Sequence, residues 1–423
     1  MIVVLPSCSF LSETSRMIAI HRALQNRGIP VAMATHGGSH LDLLRAHVAD
    51  VTVLEPITTP ERSKELAANL PGIGSGRQST WTDAEIRDGA LAEASFLAAV
   101  GATAVVTGFA LTTVISSRLA GVRQVTSHAG SFVPPVLERR MLPADAPGMP
   151  AFLRAMPRGM RRRLGSAAPM MIKDYTHGFN RVAKELGVES LPSFMALLCG
   201  DLTLVTEAPE VLGISEADMN AWRPGRGLRP ETRMRYSGPL FARLDMPVPE
   251  RVVEFVDRPG PVAYVALTST EPGLVSRTIA ATRAAGMRVL AVSTTHTLAD
   301  PQDPDILVER VLPSHRVMPL VDLAVITGGQ GSVQTALATG TPFVGIPLQP
   351  EQAWNVHVAR RRGAARWVDP TAVERELCGQ VRDLVSDDAA RPAAEAVQRI
   401  YADLDGADRA AEVIADAVGA VTK

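Results

Sequence analysis

Short apolar runs, each ending in small or polar residues, alternate along most of this chain with stretches of helical periodicity. Met1–Leu5, Pro30–Ala34, Val51–Leu54, Ala104–Thr107, Val122–Ser127 and Leu202–Thr206 form a first series. Val262–Leu267, Arg288–Val292, Ile306–Leu312, Leu320–Ile326, Phe343–Pro347 and Ala365–Val368 form a second. A strand covered on both faces reads as a continuous apolar run, so this rhythm specifies βαβ units and parallel sheets. The first helix shows the spacing clearly: Met17, Ile18, Ile20 and Leu24, with Ala19 and Ala23, recur at helical intervals up to an Arg27-Gly28 stop. Open parallel sheets bind ligands at the carboxyl ends of their strands, so the residues just after these runs carry the functional expectations.

Two stretches interrupt the rhythm. Pro134–Leu191 is helical and locally basic, with Met156, Met160, Met170 and Met171 among Arg154, Arg158, Arg161, Arg162 and Arg163. Ordinary helix packing with a solvated basic face accounts for it; an adaptable apolar wall beside anion-holding arginines is the functional alternative. Phe241–Pro261 carries prolines and charges with little periodicity and reads as a linker. The expected organisation is an N-terminal domain over 1–240, a linker over 241–261, a C-terminal domain over 262–390, and a helical tail over 391–423 that packs back on the N-terminal domain.

Composition supports this plan and removes other classes. With 423 residues, 46% hydrophobic and 21% charged, the chain has enough apolar material for two α/β domains. A formal charge of -1 and a pI near 6.8 give no global field for a polyanion, and no nucleic-acid partner is expected. Cys8, Cys199 and Cys378 lie far apart without metal-ligand spacing, which suits a reducing compartment. The chain opens directly on a strand, and no run reaches the roughly 18 apolar residues of a membrane span. A cytoplasmic protein without a membrane span is the resulting expectation; the oligomeric state is left open.

The most specific local pattern is Thr327-Gly328-Gly329-Gln330-Gly331-Ser332, between the Leu320–Ile326 run and an alanine-rich helical segment that ends at Gly340. Three glycines between a strand and a helix let the backbone approach an anion, with the free N–H groups of the first helical turn pointing at it. A tight turn is the plainer reading of the glycines alone. The residues downstream of the turn, Gly340-Thr341-Pro342, Pro347, Glu351-Gln352 and Asn355, change the balance.

In order and spacing this block resembles the GT-B nucleotide-sugar glycosyltransferases, in particular the bacterial natural-product branch that uses UDP- or dTDP-sugars. The donor block of that family runs His-Gly-Gly-x-Gly-Thr, then a leucine, Gly-x-Pro, and Pro-x-x-x-Asp-Gln-x-x-Asn; Leu337 fills the leucine position here. Weaker matches are Arg27-Gly28, Ser237-Gly238-Pro239 and Val311-Leu312-Pro313. The resemblance implies two Rossmann-like parallel-sheet domains facing across a cleft. It also implies a nucleotide-diphosphate sugar as co-substrate, without a further cofactor or metal, and a small-molecule acceptor. The implied donor residues are Thr268, Val311, Leu312, Thr327, Gly328, Gly329, Gly331, Ser332, Glu351, Gln352 and Asn355. Backbone donors and a helix dipole at a departing diphosphate lower the barrier to transfer.

Departures from the pattern define the other expectations. The histidine that opens the family's donor motif is Thr327, and an acidic residue that grips ribose hydroxyls falls at Thr335, a change that suits a deoxyribose. The family's catalytic histidine falls at Ser12-Glu13, and its supporting aspartate at Thr107-Gly108. Glu13 is therefore a candidate general base or a helix-capping acid, and His128 is the alternative base. Ser12, Phe109 and Met156 are candidate acceptor contacts; His36, His296 and His315 lie in loops near strand ends. The expected activity is inverting, metal-independent sugar transfer of the hexosyltransferase type to a natural-product acceptor. The alternatives are a non-catalytic nucleotide-sugar-binding protein and a sugar-nucleotide epimerase of the same fold.

Overall fold

A computed structural model describes residues 1–69, 80–147, 154–241, 246–267, 270–293 and 302–419, with only the backbone of 67–69. The chain divides into two compact units: Met1–Ala144, Met149–Ala242 and Asp405–Lys423 make the first, and Asp145–Gly148 with Arg243–Leu404 the second. Among the described residues no helix is long and apolar enough to cross a membrane.

The first unit holds a seven-stranded sheet of β1 (Ile2–Val4), β2 (Val31–Thr35), β3 (Val51–Val53), β4 (Ala104–Thr107), β5 (Arg123–His128), β6 (Leu202–Val205) and β7 (Arg233–Tyr236). The order is β3-β2-β1-β4-β5-β6-β7, with every neighbouring pair parallel. β1, β4 and β6 are buried along their whole length, as strands covered on both faces must be. The first helix, Leu11–Asn26, buries Met17, Ile18, Ile20 and Leu24 in a cluster that also contains Ala410, Ala411 and Ile414 of the helix Gly406–Val418. Arg27 closes that contact with two bonds to Asp408, at 2.7 and 2.6 Å. Gly406 opens the last helix against Pro239, where a Cβ would stand 2.0 Å from the Pro239 carbonyl oxygen.

The second unit holds β8 (Val262–Ala266), β9 (Arg288–Val292), β10 (Ile306–Glu309), β11 (Leu323–Ile326), β12 (Phe343–Gly345) and β13 (Ala365–Trp367). This sheet is ordered β10-β9-β8-β11-β12-β13 and is again entirely parallel. Its core joins Val265, Val289, Val325 and Val344 of the sheet to Leu377 and Val381 of the helix Val373–Val385.

Three readings of the sequence need correction. β7 was not expected, because Arg233 and Arg235 make its stretch look like loop; the strand buries Met234 and Tyr236 and keeps the arginines half-exposed, as an edge strand tolerates. The supposedly aperiodic linker contains the helix Glu250–Asp257, which buries Val252 and Phe255. The apolar runs at Ile306–Leu312 and Leu320–Ile326 are only partly strand: β10 stops at Glu309, and Leu320 ends a short 3-10 turn before β11.

Both sheets reverse direction of strand order at one place, between β1 and β4 in the first and between β8 and β11 in the second. Loops diverge at such a point and leave a crevice at the carboxyl ends of the two central strands. The sequence motifs lie at these two points.

Candidate active site

In the second unit, β11 runs into Thr327 and Gly328, and the helix Gln330–Ala338 starts with Gly329 as its cap. Gly328 has φ +86, and a Cβ there would stand 2.5 Å from Val356 Cγ2, so backbone and packing both demand glycine. Gly329 and Gly331 differ: among the described residues a Cβ on either would meet nothing within 4 Å. No side chain caps this helix, and its first turn holds no acid. The helix Pro272–Ala284, which follows β8, also begins without a side-chain cap. Two helix N-termini at one switch point form an anion-attracting edge.

The neighbouring helix, Pro350–Arg361, fixes the turn from the side. Asn355 donates from Nδ2 to the Gly328 carbonyl at 3.0 Å and to Glu351 Oε1 at 2.6 Å. Gln352 accepts from the Leu348 N–H at 2.8 Å, which orders the loop into the helix. Glu351 is half-buried, while Gln352 and Asn355 are buried. Ser332 is half-buried, Thr327 is 6% exposed, and the Thr335 hydroxyl donates back to the Gly331 carbonyl at 2.8 Å. Val311 is 42% exposed, whereas Leu312 at 3% belongs to the core and offers a ligand only its backbone. Thr268 and His296 lie outside the described residues.

In the first unit the structure brings together the two positions that the resemblance pairs. Glu13 Oε1 accepts from the N–H groups of Gly108 at 3.1 Å and Phe109 at 2.7 Å, and the Ser7 N–H is shared between its two oxygens at 3.1 and 3.2 Å. The carboxylate thus ties the loop after β1 to the loop after β4. Glu13 does not cap its own helix, whose cap is Phe10 without a side-chain bond, and it is 1% exposed. A Cβ on Gly108 would stand 2.5 Å from Glu13 Cγ, so the glutamate occupies the space of a side chain at 108. Burial pushes the Glu13 pKa up to about 7, against the pull of the Phe109 and Ser7 N–H groups, the Arg16 charge and the Gly108 N–H.

His128 ends β5 with its Nδ1 buried and without a hydrogen-bond partner. Burial first and the Arg16 charge second lower its pKa to about 4, so the ring is neutral near pH 7 but a weak base. Ser12 is exposed on the first turn of its helix. Phe109 packs edge-on against Phe10, with ring centroids 5.2 Å apart. Met156 is half-exposed before the helix Arg158–Met171.

A pocket of about 100 Å³ opens at the carboxyl ends of β1, β2 and β4, lined in part by Ser7, His36, Phe109, Leu111 and Trp81. Two of its lining residues, Ser7 and Phe109, are those clamped by Glu13. His36 Nε2 lies 3.1 Å from Glu93 Oε1, a fully buried carboxylate on the helix Asp83–Ala99. The sequence places His36 near a strand end but does not reveal its partner directly. A signal was present: Ile86, Ala90, Glu93 and Leu97 share one buried helical face, and an acid on such a face needs a partner. His315 lies on the short helix Ser314–Val317 of the second unit. Among the described residues no three side chains of metal-binding type converge.

No protein-family model matches the chain. Over 138 residues it is 31% identical to 4'-demethylrebeccamycin synthase of Lentzea aerocolonigenes, an alignment spanning 30% of this chain and 31% of that protein. Solved structures match over nearly the whole length. CalG4, the calicheamicin glycosyltransferase, is 17% identical with a TM-score of 0.65, covering 100% of this chain and 99% of its own. The glycosyltransferase VinC, solved in complex with DTDP, is 14% identical at 0.63, covering 99% and 100%. The glycosyltransferase SnogD from Streptomyces nogalater is 16% identical at 0.61, covering 99% of each chain. At these identities the likeness is one of fold: this chain has the two parallel-sheet α/β domains of the GT-B glycosyltransferase structures.

Proposed function

We propose that the protein is a glycosyltransferase that binds a nucleotide-diphosphate sugar at the Thr327–Ser332 turn and transfers the sugar to a small acceptor held in the first unit. The observation that carries this reading is the turn itself, where Gly329 and Gly331 are open to a ligand and the helix behind them starts uncapped. A departing diphosphate gains negative charge as the bond to the sugar breaks. The N–H groups of Gly329, Gly331 and Ser332 and the helix dipole would take up that charge without reorganising. Asn355 holds the turn; Glu351 and the Gln352 amide would accept from and donate to sugar hydroxyls. Val311 supplies an exposed apolar edge for the base.

The finer terms of the proposal are a UDP or dTDP donor, a hexosyl group, inversion at the anomeric carbon by direct attack, and no divalent metal. A natural-product acceptor is supported by the relatives, one of which is named as a demethylrebeccamycin synthase and another as a calicheamicin glycosyltransferase. Within this reading Glu13 positions the acceptor pocket, since its lone pairs are committed to backbone N–H groups.

The test is incubation of purified protein with a panel of UDP- and dTDP-sugars, with and without acceptor and with EDTA, monitoring nucleoside diphosphate release and product anomer by NMR. Release that requires acceptor, survives EDTA and inverts the anomer is expected. A changed sugar without acceptor would assign an epimerase. Nucleotide binding with no turnover would leave a binding protein.

A further inference from the structure

The transfer reading leaves one buried acid and one histidine in the first-unit pocket without a role. His36 follows β2, the strand beside β1, and its side chain is 15% exposed. Glu93 is fixed from both sides: besides His36 Nε2 it accepts the hydroxyl of Thr112 on one oxygen and that of Ser116, at 2.5 Å, on the other. Among the described residues its ion pairing is with His36 alone. The other ring nitrogen, Nδ1, lies 3.2 Å from the carbonyl of Pro56, a residue that lines the same pocket. Gly89, one turn before Glu93, is buried beside the ring: a Cβ there would lie in ordinary contact, 3.7 Å from Nε2. A base oriented by a carboxylate that is itself hydrogen-bonded is the arrangement that nucleophile activation requires.

We infer that His36, oriented by Glu93, is the group that removes the proton from the acceptor, an inference that rests on the transfer reading. In the reactive form the ring is neutral: Nδ1 has lost to solvent the proton it directs at the Pro56 carbonyl, and Nε2–H faces Glu93. An acceptor hydroxyl takes the place of that carbonyl by donating to Nδ1. Its O–H bond breaks as the oxygen attacks the anomeric carbon, and the proton passes to Nδ1. The bond from that carbon to the diphosphate breaks with its electron pair leaving on the nucleoside diphosphate. Nε2–H stays on Glu93, which stabilises the imidazolium.

The two other candidates fit this step less well. Glu13 is covered and its oxygens are held by three N–H groups, while His128 has lost basicity to burial and Arg16. Burial pulls the His36 pKa down and Glu93 pulls it up, for a net rise above 6.5 that makes a stronger base once deprotonated. The other charges at the pocket are Arg62 and Glu85, paired at 3.0 Å, and Glu13 behind Ser7 and Phe109. The walls, Phe109, Trp81 and Leu111, suit an acceptor with an aromatic or alicyclic ring.

The experiment compares two acceptors of different acidity with the full-length protein and the same donor panel. para-Nitrophenol ionises near neutrality and needs no base, whereas benzyl alcohol does. His36→Gln and His36→Ala are expected to lower transfer to benzyl alcohol by about 10²–10⁴-fold and transfer to para-nitrophenol by less than about tenfold. Glu93→Gln shifts the pH profile of the alcohol reaction to lower pH. Equal losses on both acceptors, or no loss on either, in variants with unchanged melting temperature would overturn the assignment of His36 and leave the transfer reading intact. Wild-type protein inert toward both acceptors with every donor would overturn the transfer reading, and this inference with it.

Discussion

The two sheets reverse strand order in the same way, yet they treat the crevice at the reversal oppositely. Between β1 and β4 the crevice is filled from within: Glu13 collects the N–H groups of Ser7, Gly108 and Phe109. Between β8 and β11, among the described residues, the equivalent edge carries Gly329 and Gly331 with open space above them and helices that no side chain caps. Free backbone N–H groups at strand ends attract an anion in either case. The first unit supplies the anion from its own sequence, and in the proposed reading the second takes it from a ligand. A carboxylate that serves as internal anion stiffens the loops around a pocket; an open edge confers binding.

The comparison breaks most directly at Gly331. Gly331→Glu puts a carboxylate on the open turn, where it would compete with a diphosphate by charge and by volume. Nucleoside diphosphate affinity measured by calorimetry should fall by more than a hundredfold, about 3 kcal/mol. The melting temperature should hold or rise, because glycine costs about 1 kcal/mol within a helix and an acid suits a first helical turn. Unchanged affinity would remove the turn from the donor site, and the two crevices would then no longer differ in purpose.

The converse change empties the filled crevice. Glu13→Ala leaves three part-buried N–H groups without their side-chain acceptor, and urea denaturation should show a loss of about 1–3 kcal/mol. Nucleoside diphosphate affinity should stay within about twofold, since the carboxylate belongs to the other unit. An unchanged stability would mean that water replaces the carboxylate at no cost, and that the crevice is only incidentally filled.

How much of this was legible in the sequence depended on how local each signal was. The open crevice could be read because its glycines, helix and flanking residues fall in one segment, Thr327–Asn355, with fixed spacing. The filled crevice was legible only as a pairing of positions that the resemblance implies. That Glu13 itself fills it depends on Gly108 and Phe109, about 95 residues away, which reach it only when β1 and β4 pair. The same holds for His36 and Glu93, 57 residues apart. The buried parallel strands were visible as apolar runs. β7 was not, because an edge strand keeps arginines at alternate positions, and that alternation over four residues is too short to separate from loop.

The finest distinction between the crevices is whether the internal anion stays ionised. An acid whose pKa is higher in the folded than in the unfolded protein holds more protons when folded between the two values. Its contribution to stability is therefore complete below about 4.5 and is lost as pH rises through about 7, where burial has pushed the Glu13 pKa. From about pH 6 to about pH 8 that contribution falls by roughly 1 kcal/mol. His36, raised above 6.5 by Glu93 in spite of burial, runs in the same direction over this window, so the wild-type slope alone does not isolate Glu13. The informative quantity is the difference in urea-derived stability between wild type and Glu13→Gln at the two pH values, with wild type expected to lose roughly 1 kcal/mol more. Parallel slopes would mean that the three N–H groups overcome burial and keep the carboxylate charged at pH 6. The β1–β4 crevice would then hold a permanent anion as its own side chain, and the contrast with the β8–β11 crevice would reduce to whether that anion is covalently attached.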